Sequence, residues 1–159
     1  YFDLRYPLWH SENIFINNSC MTSNCRAAIW YAKNIQINDA RLLGIKAVRE
    51  CDKVDIFSST IDSPEFCWKS KNIVLNDVNI ESEYGFLECE NLNIDKMLFK
   101  GKYAFQYVKE GKITNSRFKT KDAFWHASNL TIKDSVIDGE YLAWYSENLT
   151  FINCKIISK

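Results

Sequence analysis

Asn91-Leu-Asn-Ile94, Asn129-Leu-Thr-Ile132 and Asn148-Leu-Thr-Phe151 are one motif met again at a fixed beat. Asn34-Ile-Gln-Ile37 and Asn72-Ile-Val-Leu75 belong to the same series, nineteen residues or a multiple of nineteen away. Lys53 and Glu110 fill the two skipped beats, and Asn13 opens the series twenty-one residues before Asn34. A fixed period of about twenty residues signals a chain that stacks one small unit on the next.

Columns counted from the beat residue carry the fold. One residue on stand Ile14, Ile35, Val54, Ile73, Leu92, Gly111, Leu130 and Leu149. Three on, and again eight on, every coil offers a large apolar residue, from Ile16 and Met21 to Phe151 and Ile156. Apolar, variable, apolar describes a strand with one buried face. Six on, the residue is small or aliphatic, as in Ser59, Met97 and Ser135. A third short strand precedes the beat: the column five before includes Ile29, Val48 and Phe105, and the column two before holds small residues such as Ala32, Cys51 and Ser70.

Three short strands in nineteen residues leave room only for tight corners, and no stretch sustains a helical apolar period. The sequence therefore predicts an all-β fold: a single-stranded right-handed parallel β-helix (solenoid) of about eight coils. Equivalent strands stack about 4.8 Å apart. Asparagine tolerates a left-handed corner, and its amide can bond the amide of the next coil, which predicts an asparagine ladder. Nineteen is not a multiple of five or six, which argues against pentapeptide and hexapeptide coils. A helical repeat needs a longer unit.

Tyr6-Pro-Leu-Trp9, Ala28-Ile-Trp-Tyr31, Ala123-Phe-Trp-His126 and Leu142-Ala-Trp-Tyr145 each run into Asn-aliphatic-x-aliphatic. Together these motifs resemble an uncharacterised microbial family, a domain of unknown function with a pectate-lyase-like right-handed β-helix. The resemblance covers essentially the whole chain. It implies a fold and no activity, cofactor or catalytic residue.

Residues 1–159 fit one domain, and 47% hydrophobic residues fill an elongated core. Lys159 falls in mid-coil and no capping helix closes either end, so the chain reads as a stretch of a longer β-helix. Open coils present unpaired edges, which favours end-to-end or edge-mediated self-association. No apolar run approaches a membrane span. Six cysteines do not form a disulfide framework: Cys51 and Cys89 share a column two coils apart, about 10 Å by the strand spacing. Cys67 and Cys154 read as core residues, and Cys20 and Cys25 as a pair able to meet across the two-residue insertion. This usage predicts a reduced, cytoplasmic setting.

Net charge is zero but uneven, with eight bases and one acid in residues 96–121. The stretch reads first as a coil surface neutralised by acidic neighbours, and second as a face for an acidic glycan. It lacks the stacking module of a nucleic-acid binder.

The candidate ligand-binding residues are the tryptophan column, Trp9, Trp30, Trp68, Trp125 and Trp144, with Tyr31 and Tyr145 beside it. His10, Tyr107 and His126 share the column of those tyrosines, as do Glu50, Lys69 and Glu88. Charged members argue that these columns face outward. Strict alternation argues otherwise, because it puts each tryptophan on the face of the small residue two later; a bulge would reconcile the two. Exposed rings suit a sugar-stacking platform, with Trp125 and Trp144 expected in ring contact on adjacent coils. Buried rings suit a structural stack. Asp62, Glu81 and Asp138 share one column, but no third acid or histidine joins them, and the two histidines are about 29 Å apart by the strand spacing. No catalytic set, metal site or cofactor site is expected. The sequence predicts a scaffold or interaction domain of unknown partner, or else a carbohydrate-binding β-helix.

Overall fold

The computed structural model describes residues 1–158. The mid-coil position of Lys159 lies outside the described residues. The chain winds as a parallel β-solenoid of eight coils, numbered here by their beat residues from Asn13 (coil 1) to Asn148 (coil 8). Strands pair in parallel with their equivalents in the next coil, as in Ile56↔Leu75, Leu75↔Ile94, Ile94↔Ile113 and Ile113↔Ile132, although Val48–Arg49 meets coil 4 only through the single bridge Arg49↔Trp68. That register is the nineteen-residue period read from the sequence.

The core is a stack of the apolar columns. Ile37, Ile56, Ile94, Ile113 and Ile132 have no exposed surface. Leu42, Ile61, Ile80, Phe99, Phe118 and Ile137 fill the column eight after the beat and are buried. Five before the beat, Phe86, Phe105 and Phe124 stack with centroid separations of 4.5 and 5.2 Å.

Among the described residues the left-handed corners are made without glycine. Each coil carries four non-glycine residues with positive φ; in coil 7 they are Phe124 (64°), His126 (53°), Asn129 (57°) and Asp134 (52°). A left-handed residue costs about 1–2 kcal/mol, least for Asn and Asp, whose side chains bond locally. The stacked core and the corner hydrogen bonds offset that cost. At the beat corner Asn34 donates its amide to Asn13 Oδ1 at 2.7 Å, Asn91 to Asn72 at 2.8 Å and Asn148 to Asn129 at 3.0 Å. Lys53 and Glu110 take the same left-handed conformation, at φ 60° and 61°, and interrupt the ladder. Asn72, above Lys53, turns to Asp52 Oδ1 at 2.8 Å.

A second ladder runs near the corner five after the beat, where Asn38 donates to Asn17 and Asn153 to Asp134. This corner does not end a strand in the first five coils: Asp52–Asp62 and Lys71–Glu81 run through it, whereas coil 6 has separate strands Lys109–Thr114 and Arg117–Lys119. Buried serines serve the backbone inside. Ser59 accepts from the Ala40 amide and Ser116 from the Met97 amide, each at 3.1 Å, and each hydroxyl donates to a carbonyl two residues back. The small columns of the sequence are thus hydroxyl sites as well as packing sites.

The charged residues just before the beat alternate in sign: Glu12, Lys33, Asp52, Lys71, Glu90 and Lys109 pair in register down six coils. Like charges directly opposite would be destabilising, so the alternation supports the register.

Candidate functional site

The tryptophan column faces outward while the small residue two positions later is buried in coils 2 to 7 and partly buried in coils 1 and 8. The residue between them resolves the conflict with strict alternation: His10, Tyr31, Glu50, Lys69, Glu88, Tyr107, His126 and Tyr145 all have positive φ, from 49° to 56°. A left-handed corner turns the chain there, and so does what a bulge would otherwise have to do. Trp9 is 57% exposed and Trp144 53%, while Trp30, Trp68 and Trp125 are half-buried. Trp68 Nε1 donates to the Tyr84 carbonyl at 2.7 Å.

Stacking is strongest in the corner column, not the tryptophan column. His126 lies between Tyr107 and Tyr145, at centroid separations of 4.9 and 5.0 Å and interplanar angles of 2° and 11°. His10 stacks on Tyr31 at 5.0 Å and 19°. Glu50, Lys69 and Glu88 take the column in coils 3 to 5, so the stripe is two patches, six coils apart at their histidines. Tyr31 ends the first patch beside Glu50, whose carboxylate raises the tyrosine hydroxyl above its ordinary pKa.

Trp125 and Trp144 do not make the ring contact expected of them; among the described residues each packs elsewhere. Trp125 meets Tyr107 at 5.4 Å and His126 at 4.7 Å, and Trp144 meets Tyr141 at 4.9 Å. The reason lies seven residues before the beat. In coil 8 that position is Tyr141, a ring for Trp144; in coil 7 it is Asp122, which offers none. Trp9 and Trp30 do approach, at 6.4 Å.

A second aromatic column is absent from the sequence reading. Tyr84 and Tyr103 stack at 4.7 Å, with Tyr141 two coils further on. Their spacing, nineteen and then thirty-eight residues, is a usable signal. Their placement is not legible from it, because the corner before the tryptophan moves. It lies at Tyr6, Ala27 and Lys46 in coils 1 to 3, and two residues later, at Cys67, Phe86, Phe105, Phe124 and Ala143, in the rest.

Charges on the basic coils meet acids on their neighbours. Lys100 reaches Glu81 at 3.0 Å, Lys102 reaches Glu83 at 4.0 Å and Lys121 reaches Glu140 at 4.0 Å. In the middle coils Arg49 lies 5.6 Å from the Trp68 ring and contacts Glu50 at 3.1 Å and Glu65 at 4.0 Å. Asp62 and Glu81 are in register on adjacent coils, but Glu81 is already engaged by Lys100. They border an open groove of about 470 Å³ that also includes Arg41, Leu98 and Arg117. Among the described residues no three His, Cys, Asp or Glu side chains gather as metal ligands.

All six cysteines are free. The repeat puts Cys67 and Cys89 in separate columns, yet their sulfurs lie 3.8 Å apart and the Cys89 thiol meets the Cys67 carbonyl at 2.5 Å. The displaced corner at Cys67 brings its sulfur toward the column of Cys89. Burial pushes the Cys67 thiol well above its ordinary pKa and Cys51 up to about 11. Cys25 is buried and meets the Phe2 carbonyl at 3.1 Å, while Cys20 is only partly buried.

The outward rings, paired surface charges and continuous core define a repeat protein of the parallel β-solenoid class. The chain belongs to the family described as "Protein of unknown function (DUF3737)", which matches residues 1–159. It is also similar to a protein of Streptococcus uberis whose name makes it one subunit of an ATP-dependent helicase/deoxyribonuclease. Identity is 25% over 114 residues, covering 69% of this chain and 10% of that protein. The chain spans about a tenth of that relative's length. Among the described residues no helix is long and apolar enough to cross a membrane.

Proposed function

We propose that this protein acts by binding rather than catalysis, as a rigid β-helix scaffold that presents an aromatic face to a partner. The stack Tyr107–His126–Tyr145, flanked by Trp125 and Trp144, carries this reading. It displays near-parallel rings along the solenoid, and none of the five is needed to fill the core. A second reading, a carbohydrate-binding β-helix, draws on the same feature. Flat rings at coil spacing suit the C–H faces of successive pyranoses, with Trp9, Trp30 and Tyr31 as a second patch and Trp68 between the two. An acidic oligosaccharide is the first ligand to try, because the basic stretch Lys100 to Lys121 comes just before Trp125 in the chain.

A glycan array on the intact protein, followed by tryptophan-fluorescence titration of any hit, tests the sugar reading. Saturable quenching that is lost in Trp144→Ala and Tyr145→Ala supports it. An array without hits leaves a protein partner as the reading, sought by cross-linking from the same face.

The winding is proposed to be right-handed, as parallel β connections almost always are, and pectate-lyase-like from the resemblance of its coil motifs. A reducing compartment such as the cytoplasm is proposed from the six free thiols.

A further inference from the structure

Glu65 and Asp122 occupy the same place in the repeat, seven residues before the beat residues Asn72 and Asn129. Each has a buried carboxylate oxygen that accepts no hydrogen bond among the described residues. At Glu65 the preceding coil compensates with two cations: Lys46 Nζ at 3.4 Å and Arg49 Nη1 at 4.0 Å from Oε2. Lys46 and Arg49 stand seven and four residues before Lys53. In the coil before Asp122 those two places hold Tyr103 and Gln106. Asp122 thus has a ring and a neutral amide at the repeat positions where Glu65 has charges.

The neighbouring lysines are turned to other acids. Lys121 faces Glu140 and Lys102 faces Glu83, each at 4.0 Å. Tyr103 and Tyr141 flank Asp122 in register, one coil to either side. Asp122 thus replaces one ring in the column Tyr84, Tyr103, Asp122, Tyr141 with a short acidic side chain. A cation level with Asp122 would sit about 4.8 Å from each flanking ring, inside the ~6 Å reach of a cation–π contact. Tyr103 already takes one ammonium in this way, with Lys102 Nζ 5.4 Å from its centroid. Burial raises the Asp122 carboxyl above its ordinary pKa, which a bound positive charge would reverse.

We propose that Asp122 binds an organic cation, an alkylammonium or guanidinium group, between the rings of Tyr103 and Tyr141 with its carboxylate as counter-ion. The repeat supplies the cations internally at Glu65 and supplies none at Asp122.

The test is a titration of the isotope-labelled intact protein, followed by amide and aromatic NMR shifts. The probes are choline, its uncharged carbon isostere 3,3-dimethyl-1-butanol, and N-acetylarginine amide. Saturable shifts at Tyr103, Asp122 and Tyr141 are expected with the cations, with the isostere at least ten-fold weaker. Asp122→Asn should weaken cation binding at least ten-fold. Gln106→Arg should abolish it by supplying internally the charge that Arg49 gives Glu65. Preference for choline assigns the site to small amines, and preference for the arginine amide assigns it to a side chain of a protein partner. Equal binding of the isostere, undiminished binding in Asp122→Asn or Gln106→Arg, or binding of neither cation overturns the proposal. Tyr145→Ala should leave the cation titration intact, which separates this site from the aromatic stack proposed above.

Discussion

Asn91 donates its side-chain amide to Asn72 Oδ1, 2.8 Å away in the preceding coil, and both residues sit in the left-handed region at φ 57° and 56°. One residue type supplies the backbone conformation and the bond between coils. Glu110 follows in the same conformation without that bond, at a steric cost that an asparagine would lower. Glu110→Asn should therefore raise stability by about 1 kcal/mol by bridging Asn91 to Asn129. Asn91→Ala should lower it by about 1–2 kcal/mol. Denaturant midpoints at unchanged slope measure both; a destabilised Glu110→Asn would refute the account of the ladder.

Ile94 and Ile113 are fully buried in the column three after the beat. Truncating either to Ala should cost about 2–5 kcal/mol, and the pair, in contact across adjacent coils, should not be additive. Equilibrium unfolding of the two single variants and the double variant measures this.

Gly101 sits where a Cβ would come within 1.8 Å of the Ser82 carbonyl oxygen. Gly101 has no positive φ, so close coil approach is what excludes a side chain. Gly101→Ala should lower the thermal midpoint by several degrees, as an overpacking cost of about 1–3 kcal/mol in a domain of this size predicts. Gly111→Ala, whose added carbon would meet the Leu92 carbonyl oxygen at 3.0 Å, should cost less.

Burial raises the Cys51 thiol from 9.0 to about 11. A group whose folded pKa is raised holds its proton more tightly in the folded state. The stability it contributes is complete below pH 9.0 and is lost as pH rises to about 11. Stability of the native protein should fall more steeply across that window than stability of Cys51→Ala. Parallel slopes in urea unfolding at stepped pH would contradict the assignment. Native thiol counting should likewise find Cys51, Cys67 and Cys89 unreactive and Cys20 accessible.

The stacking geometry shows how far sequence reading reaches at the candidate site. His126, Tyr107 and Tyr145 are visible as a column, because register follows from the period alone. The failure of Trp125 to meet Trp144 goes with what stands seven residues before the beat. Tyr141 and Asp122 act there through space, across a corner whose position changes after coil 3. No periodicity in one column reports the occupant of another.

The amino-acid order alone specified the coil, its length, the buried columns, the asparagine corner and its two interruptions. The reason is that stacking in register forces each residue to meet its own equivalent, so a one-dimensional repeat already names the contacts. What crosses columns was settled only in three dimensions: the left-handed corner that turns tryptophan outward, the approach of Cys67 to Cys89, and the cations present at Glu65 but missing at Asp122. Those depend on how far the chain rotates at each corner, which is set by φ at single residues and by the side chains packed beneath them.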